Sequence, residues 1–277
     1  EDHGGSGFGL PELVVVVEEL GRAIAPGPFV PTVIASAVIA AAAPEDVQKR
    51  VLPGLADGSV VGAVAVGGDV AVSDGSASGT AVVVGGGLAD LLVVRVGDDA
   101  ALIETSADGV SVEVPANLDQ GRRSARVTLD GVAAEILPGA GQAVVDHARL
   151  LFAAECVGVA RECTEQAAAY AKEREQFGRP IAMFQAVKHH CANMLVATEL
   201  STGLVWDAAR AAEDGGDEFS AAAAMAASIA LPAADECANL NIQVHGGIGF
   251  TWEHDAHLYL RRATAIAAVL DAEVAAQ

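Results

Sequence analysis

Arg174-Glu175-Gln176-Phe177-Gly178-Arg179-Pro180 and Gln243-Val244-His245-Gly246-Gly247-Ile248-Gly249-Phe250 are the two stretches best equipped to hold a ligand. An arginine beside an aromatic can grip a phosphate through charge-assisted hydrogen bonds and flank a planar ring. Gly246, Gly247 and Gly249 let backbone N–H groups approach a phosphate where a Cβ would collide. Each stretch also has a structural reading. A cation at a helix C-terminus is favoured by the helix dipole, Gly178 suits a C-cap, and a tight interhelical turn needs one glycine. That reading leaves Phe177 and the extra glycines without a reason. His245 and His254 flank the second turn, where each could bond a cofactor or act as a capping or core histidine. Glu155 is the acid that stands out, alone in the uncharged run Leu150–Ala160. A carboxylate there is costly unless functional or paired, so it is a candidate base or the partner of Arg149 or another bundle residue.

Helices must position these groups. Pro11–Ile24, Thr32–Ala43 and Pro44–Leu55 read as helices, with Pro11 and Pro44 in first turns and Pro26-Gly27-Pro28 as a stop. From Val60 to about Pro138, short Val-rich runs alternate with Gly, Asp and Ser turns, which predicts a compact antiparallel β-domain, a small barrel or sandwich. Four long helical segments follow, about Ala143–Arg174, Ala182–Glu213, Glu218–Val244 and His254–Ala275, and their short breaks predict an antiparallel four-helix bundle. The expected fold is α+β, divided as N-terminal helices 1–58, a β-domain 59–138 and a C-terminal bundle 139–277. No strand precedes the glycine turn, so it is not a Rossmann fingerprint.

Composition narrows the function. A net charge of −21 and 19% charged residues beside 52% hydrophobic ones describe a globular acidic protein. Nucleic acid and anionic membrane are repelled and are not expected partners. Arg122, Arg123 and Arg126 form the densest basic cluster, either an anion site or a solvated patch. Cys156, Cys163, Cys191 and Cys237 lie in apolar helical stretches and read as core thiols of a cytoplasmic protein. No histidine pair has metal spacing, so no metal is expected. The chain opens Glu1-Asp2-His3 without methionine, which reads as the interior of a longer protein.

At these motifs the chain resembles the acyl-CoA dehydrogenases. The resemblance rests on Arg174-Glu-Gln-Phe-Gly-Arg-Pro-Ile with Phe184-Gln185, on Gln243-Val-His-Gly-Gly-Ile-Gly-Phe, and on Glu1–Gly9 with Glu18-Glu19-Leu20-Gly21. It implies an FAD flavoprotein that dehydrogenates an acyl-CoA thioester at the α,β-bond and passes electrons to an electron-transfer flavoprotein. The branch most like it is the actinobacterial one acting on cholesterol side-chain CoA thioesters. Carried over by position, Arg174 and Phe177 would contact the FAD of a neighbouring subunit. Gln243, Gly246 and Gly247 would line its adenosine diphosphate portion, with Gln185 in support; Gln176 and His245 stand beside them as further cofactor-binding candidates. A shared site implies a homo- or hetero-oligomer, a dimer or dimer of dimers.

Two departures qualify the implied activity. The family's Thr-Glu-Pro and Gly-Ser-Asp segment is replaced by Ala65-Val66-Gly67-Gly68-Asp69-Val70. The reaction needs a carboxylate in a water-poor pocket, yet the two family base positions fall at Leu270, beside Asp271, and at Ala148, beside Arg149. Glu155, two helical turns after Ala148, is the substitute candidate, with Arg149 supporting. The rival reading is a non-catalytic subunit that completes the FAD site of a paired chain.

Overall fold

The computed structural model describes residues 3–274, with side chains to 270, so Glu1, Asp2 and the Asp271 side chain lie outside the described residues. Three helices come first: α1 Leu10–Arg22, α2 Phe29–Ala42 and α3 Glu45–Asp57. Eight strands follow: β1 Gly62–Ala65, β2 Gly68–Ser73, β3 Ser76–Val83, β4 Leu91–Val96, β5 Asp99–Glu104, β6 Val110–Glu113, β7 Ala125–Ala133 and β8 Glu135–Leu137. The rest is helical: α4 Gly141–Glu173, a small hairpin of β9 Glu175–Gln176 and β10 Arg179–Pro180, then α5 Gln185–Asp214, α6 Gly216–His245 and α7 Ala256–Val274. This is the α+β arrangement expected, with helices, a central sheet domain and four long C-terminal helices. No described helix is long and apolar enough to cross a membrane.

The chain forms two compact units. The first takes in Pro26–Arg149 with the residues before Gly9 and after Ala267. Its strands form two four-stranded sheets, ordered β1-β4-β5-β8 and β2-β3-β7-β6. Their inner faces share one core, built from Ala63, Val83, Leu92, Ile103, Val127 and Val132 among others, which makes the domain a sandwich. Strand β7 shows why: its residues alternate between buried and exposed along most of its length, as a strand with one wet face must. The pairing is antiparallel except for β1 with β4, where Gly62 sits opposite Leu91 in parallel register. Val66 and Gly67 alone join β1 to β2, so the chain changes sheets over two residues.

The second unit comprises Gly9–Ala25 and Leu150–Ala267. Helix α1 lies directly on α4. A Cβ on Gly21 would sit 2.2 Å from the Glu155 carbonyl oxygen, and one on Gly158 would sit 2.0 Å from that of Glu18, so only glycine permits the contact. Arg161 Nε donates to Glu18 at 2.7 Å, and Arg22 Nη2 donates to Glu165 at 2.7 Å, tying the helices at their rims. Helix α6 buries Ala223, Ala226, Ala230, Ala234 and Ala238, small residues that let long helices pack closely.

Candidate functional site

Helix α4 stops at Glu173, and the chain turns back on itself within a few residues. Gln176 pairs with Arg179 and Glu175 with Pro180. Phe177 and Gly178 form the tip with φ of 54° and 77°, the positive values that a type I′ hairpin turn demands at both central residues. Gly178 is therefore not the C-cap of α4, because strand pairing beyond the helix end takes it into the hairpin. Holding Phe177 in the left-handed region costs about 1–2 kcal/mol. Its ring is nonetheless 89% exposed, touching Phe184 edge-on at 6.0 Å, while the Arg179 guanidinium lies 4.4 Å over Phe184.

Phe184 precedes α5 without giving it a side-chain cap. The N–H groups of the first turn of α5 thus have no intrahelical acceptor and carry the positive end of the helix dipole. At the other side α6 ends on His245, and Gly246 follows with φ 64° and ψ −136°, a conformation that glycine alone reaches at low cost. Gly249 packs on the chain itself, where a Cβ would meet Ile242 and His245 at 2.8 Å. Gly247 differs: nothing lies within 4 Å of its would-be Cβ.

These ends enclose a half-open cavity of about 540 Å³ in the second unit. It is lined by Tyr170, Arg174, Gln176 and Phe177 from α4 and the hairpin, by Phe184, Ala186, Val187 and His190 around the start of α5, and by Gln243 to Ile248 at the end of α6. In a chain of net charge −21, no carboxylate lines it among the described residues. Arginine, an uncapped helix N-terminus, open glycine backbone and aromatic planes together suit an anionic ligand with a flat ring. His245 stacks on Tyr170 with ring centroids 4.3 Å apart and meets His254 at 4.3 Å. Burial pulls its pKa down, the Asn241 carbonyl pulls it up, and neighbouring His254 pulls it down further.

The structure thus brings Arg174, Gln176, Phe177, Gln243, His245, Gly246 and Gly247 to one cavity. Gln185 opens α5 but is exposed and lines neither this cavity nor the second. His254 is a cap: its Nδ1 accepts from the Ala256 N–H at 3.1 Å. Tyr170 and His190 also line the cavity, beyond the residues the motifs point to; Tyr170 stands one turn before Arg174 and so shares its helix face.

The candidate base sits elsewhere. Glu155 and Arg262 are each 0% exposed and form an ion pair, with Arg262 Nη2 also donating to the Ala25 carbonyl at 3.3 Å. Glu155 has the bundle partner that was its structural alternative, and it lines neither cavity. Arg149 lies 3.9 Å from Asp146, which accepts from Gln142 at 2.8 Å. Leu270 and Ala148, where the resemblance would put the family's base, are buried. The basic cluster is split: Arg122 is 4% exposed and donates to the Gly27 carbonyl, and Arg126 faces Glu113 at 3.8 Å. A second cavity of about 380 Å³ in the first unit is bordered by Arg50, Glu104 and Glu135 and contains no sequence candidate. No group of three His, Cys, Asp or Glu among the described residues could hold a metal ion. Cys156, Cys163 and Cys237 are buried, Cys191 only partly so.

Comparison with known proteins decides the family. Residues 1–59 match the acyl-CoA dehydrogenase N-terminal domain and residues 140–269 the C-terminal domain. The acyl-CoA dehydrogenase IpdE2 of Mycobacterium tuberculosis is 38% identical over 271 residues, covering 98% of this chain and 77% of IpdE2. The chain belongs to the acyl-CoA dehydrogenase family. The acyl-CoA dehydrogenase FadE34 of the same organism is 43% identical over 274 residues, 98% of this chain but 38% of FadE34, so the chain spans well under half of that relative's length. A solved variant of the steroid ACAD Tcur3481-Tcur3483 superposes with a TM-score of 0.90 at 33% identity, covering 99% of this chain and 80% of the other. Acyl-CoA dehydrogenases are FAD-dependent oxidoreductases of β-oxidation.

Proposed function

We propose that this acyl-CoA dehydrogenase chain serves the FAD-dependent α,β-dehydrogenation of an acyl-CoA thioester whose acyl group is a steroid side chain. The observation that carries the reading is the acid-free cavity uniting Arg174, Gln176, Phe177, Gln243, His245, Gly246 and Gly247. These residues fit the adenosine diphosphate portion of an FAD. Arg174 and the first turn of α5 would meet the diphosphate, the backbone at Gly246 and Gly247 would allow close approach, and Phe177 would flank a ring. Bound FAD would supply the hydride acceptor. In this reading the cavity faces a second chain that holds the rest of the cofactor, so the working form is a dimer or dimer of dimers in the cytoplasm, with an electron-transfer flavoprotein as acceptor. The division at 58/59 and 138/139 is the domain organisation that goes with it. The steroid assignment is supported by likeness to the steroid ACAD.

A second reading has its own support: the chain completes the FAD site of a paired catalytic chain. By the resemblance the base would fall at Leu270 or Ala148, both buried and aliphatic; Glu155 is engaged with Arg262, and β1 reaches β2 through Val66 and Gly67 alone. Anaerobic bleaching of the flavin by a steroid-CoA separates the two. Bleaching by this chain alone supports a self-sufficient dehydrogenase, and bleaching only with a partner chain supports the accessory role. Failure to hold FAD in either state removes both.

A further inference from the structure

His245 has most of its ring committed. Nδ1 lies 2.8 Å from the Asn241 carbonyl, an acceptor, so Nδ1 carries the proton. Tyr170 stacks on the ring at 26° and His254 meets it at 48°. The residue is 6% exposed, yet it lines the cavity. The one polar ring atom left is Nε2, which forms no hydrogen bond with any described residue. In the neutral ring, a proton fixed on Nδ1 makes Nε2 an acceptor.

We propose that His245 is a positioning residue that works as a neutral imidazole: Nε2 accepts from an O–H or N–H of a bound nucleotide, a sugar hydroxyl or an exocyclic amine, and protonation of the ring empties the cavity. The inference rests on the nucleotide reading of the cavity. The opposite arrangement would be an imidazolium donating to a phosphate. The titratable and charged groups around the ring are Tyr170 and Arg174 on α4, His190 on α5 and His254 ahead of α7, with no carboxylate lining the cavity. A second proton on the ring would add a cation where two other imidazoles and a guanidinium already gather, in a buried position. The C-terminal end of α6 and the Asn241 carbonyl favour the cation, but burial is the largest influence and His254 adds to it.

The test has two readouts. The first is ligand-free: ring NMR of His245 should show the Nδ1–H tautomer and a titration midpoint below that of a free imidazole. In His254→Asn, which keeps an acceptor for the Ala256 N–H, the midpoint should rise. The opposite tautomer, or a midpoint above about 6.5, overturns the inference. The second is FAD affinity of the assembled protein from pH 8.5 to 5. It should be level above neutrality and weaken about tenfold for each pH unit below the midpoint, because only the neutral fraction binds. His245→Phe should lose affinity at all pH values and lose the pH dependence, while His245→Gln, which retains an acceptor, should recover part of it. Affinity that is unchanged with pH, or tighter in acid, overturns the role of His245 and leaves the FAD reading standing. No FAD binding at any pH overturns the FAD reading, and with it the proposed ligand contact of Nε2.

Discussion

Glu155→Gln tests whether Glu155 is half of a structural ion pair or a base. Both Glu155 and Arg262 are 0% exposed, and the guanidinium also donates to the Ala25 carbonyl at 3.3 Å. Glu155→Gln takes one carboxylate charge away from a buried guanidinium that stays protonated. Breaking a buried pair by removing one partner costs about 3–5 kcal/mol. At about 2–4 °C per kcal/mol for a chain approaching this size, the melting temperature should fall by roughly 10 °C, and the loss should not depend on pH. Arg262→Met removes the other half of the pair and should also lower the melting temperature. Glu155→Leu combined with Arg262→Met removes both charges and should melt within a few degrees of the parent or above it. Thermal melts by circular dichroism at three pH values read all three variants. If Glu155→Gln melts within 2 °C of the parent while flavin bleaching by substrate is lost, the pair is not structural and Glu155 is the base after all.

Three further outcomes follow from the same geometry. Gly247→Ala should leave stability within about 0.5 kcal/mol, because its Cβ meets nothing, yet it should weaken FAD binding by fluorescence titration; unchanged affinity would mean that no ligand approaches that backbone. Phe177→Gly should relieve the left-handed strain and hold stability level or raise it by about 1 kcal/mol in urea melts, while FAD affinity drops; a clear loss of stability would show that the Phe184 contact outweighs the strain. Stability should also fall in acid. Burial pulls His147 down against the Ala143 carbonyl and Asp146, and His245 is lowered too. Both histidines then contribute fully above the unfolded value of about 6.5, and that contribution is lost as pH falls from there toward the folded values. Melts at pH 7.5 and 5.5 should differ in that direction.

The sequence exposed most of the helices because proline, glycine and apolar periodicity mark their ends. It exposed the cavity because Arg174, Phe177 and Gly247 have types that a bundle does not need. It could not show the pairing of the sandwich, where β1 runs parallel to β4 across a 29-residue separation, since hairpin signals report only neighbours. Nor could it show that Gly178 belongs to a hairpin two residues wide, because a C-cap and a type I′ turn both ask for glycine with positive φ. Arg262 was hidden for a related reason. On a helix with polar residues at many positions, nothing in the spacing says that the second of two adjacent arginines turns inward, and Glu155 is intelligible only once that arginine is seen.

The glycines of the α6 turn show how far residue type alone can carry a functional argument. Gly246 is required by its backbone angles and Gly249 by the chain packed against it, so both would be glycine in a protein that binds nothing there. Gly247 has neither constraint, and glycine elsewhere costs the unfolded-state entropy that a residue with a side chain would save. A position that bears this cost without structural need, facing a cavity that holds Arg174 and no acid, is best accounted for by a group from outside the chain coming closer than a methyl would allow. Leu270 and Ala148 point the other way for chemistry: their aliphatic side chains are buried and can take no proton. On the proposed reading, ligand holding and proton abstraction are separate properties of this chain. Gly247→Ala tests the first without disturbing the fold, and Glu155→Gln tests the second.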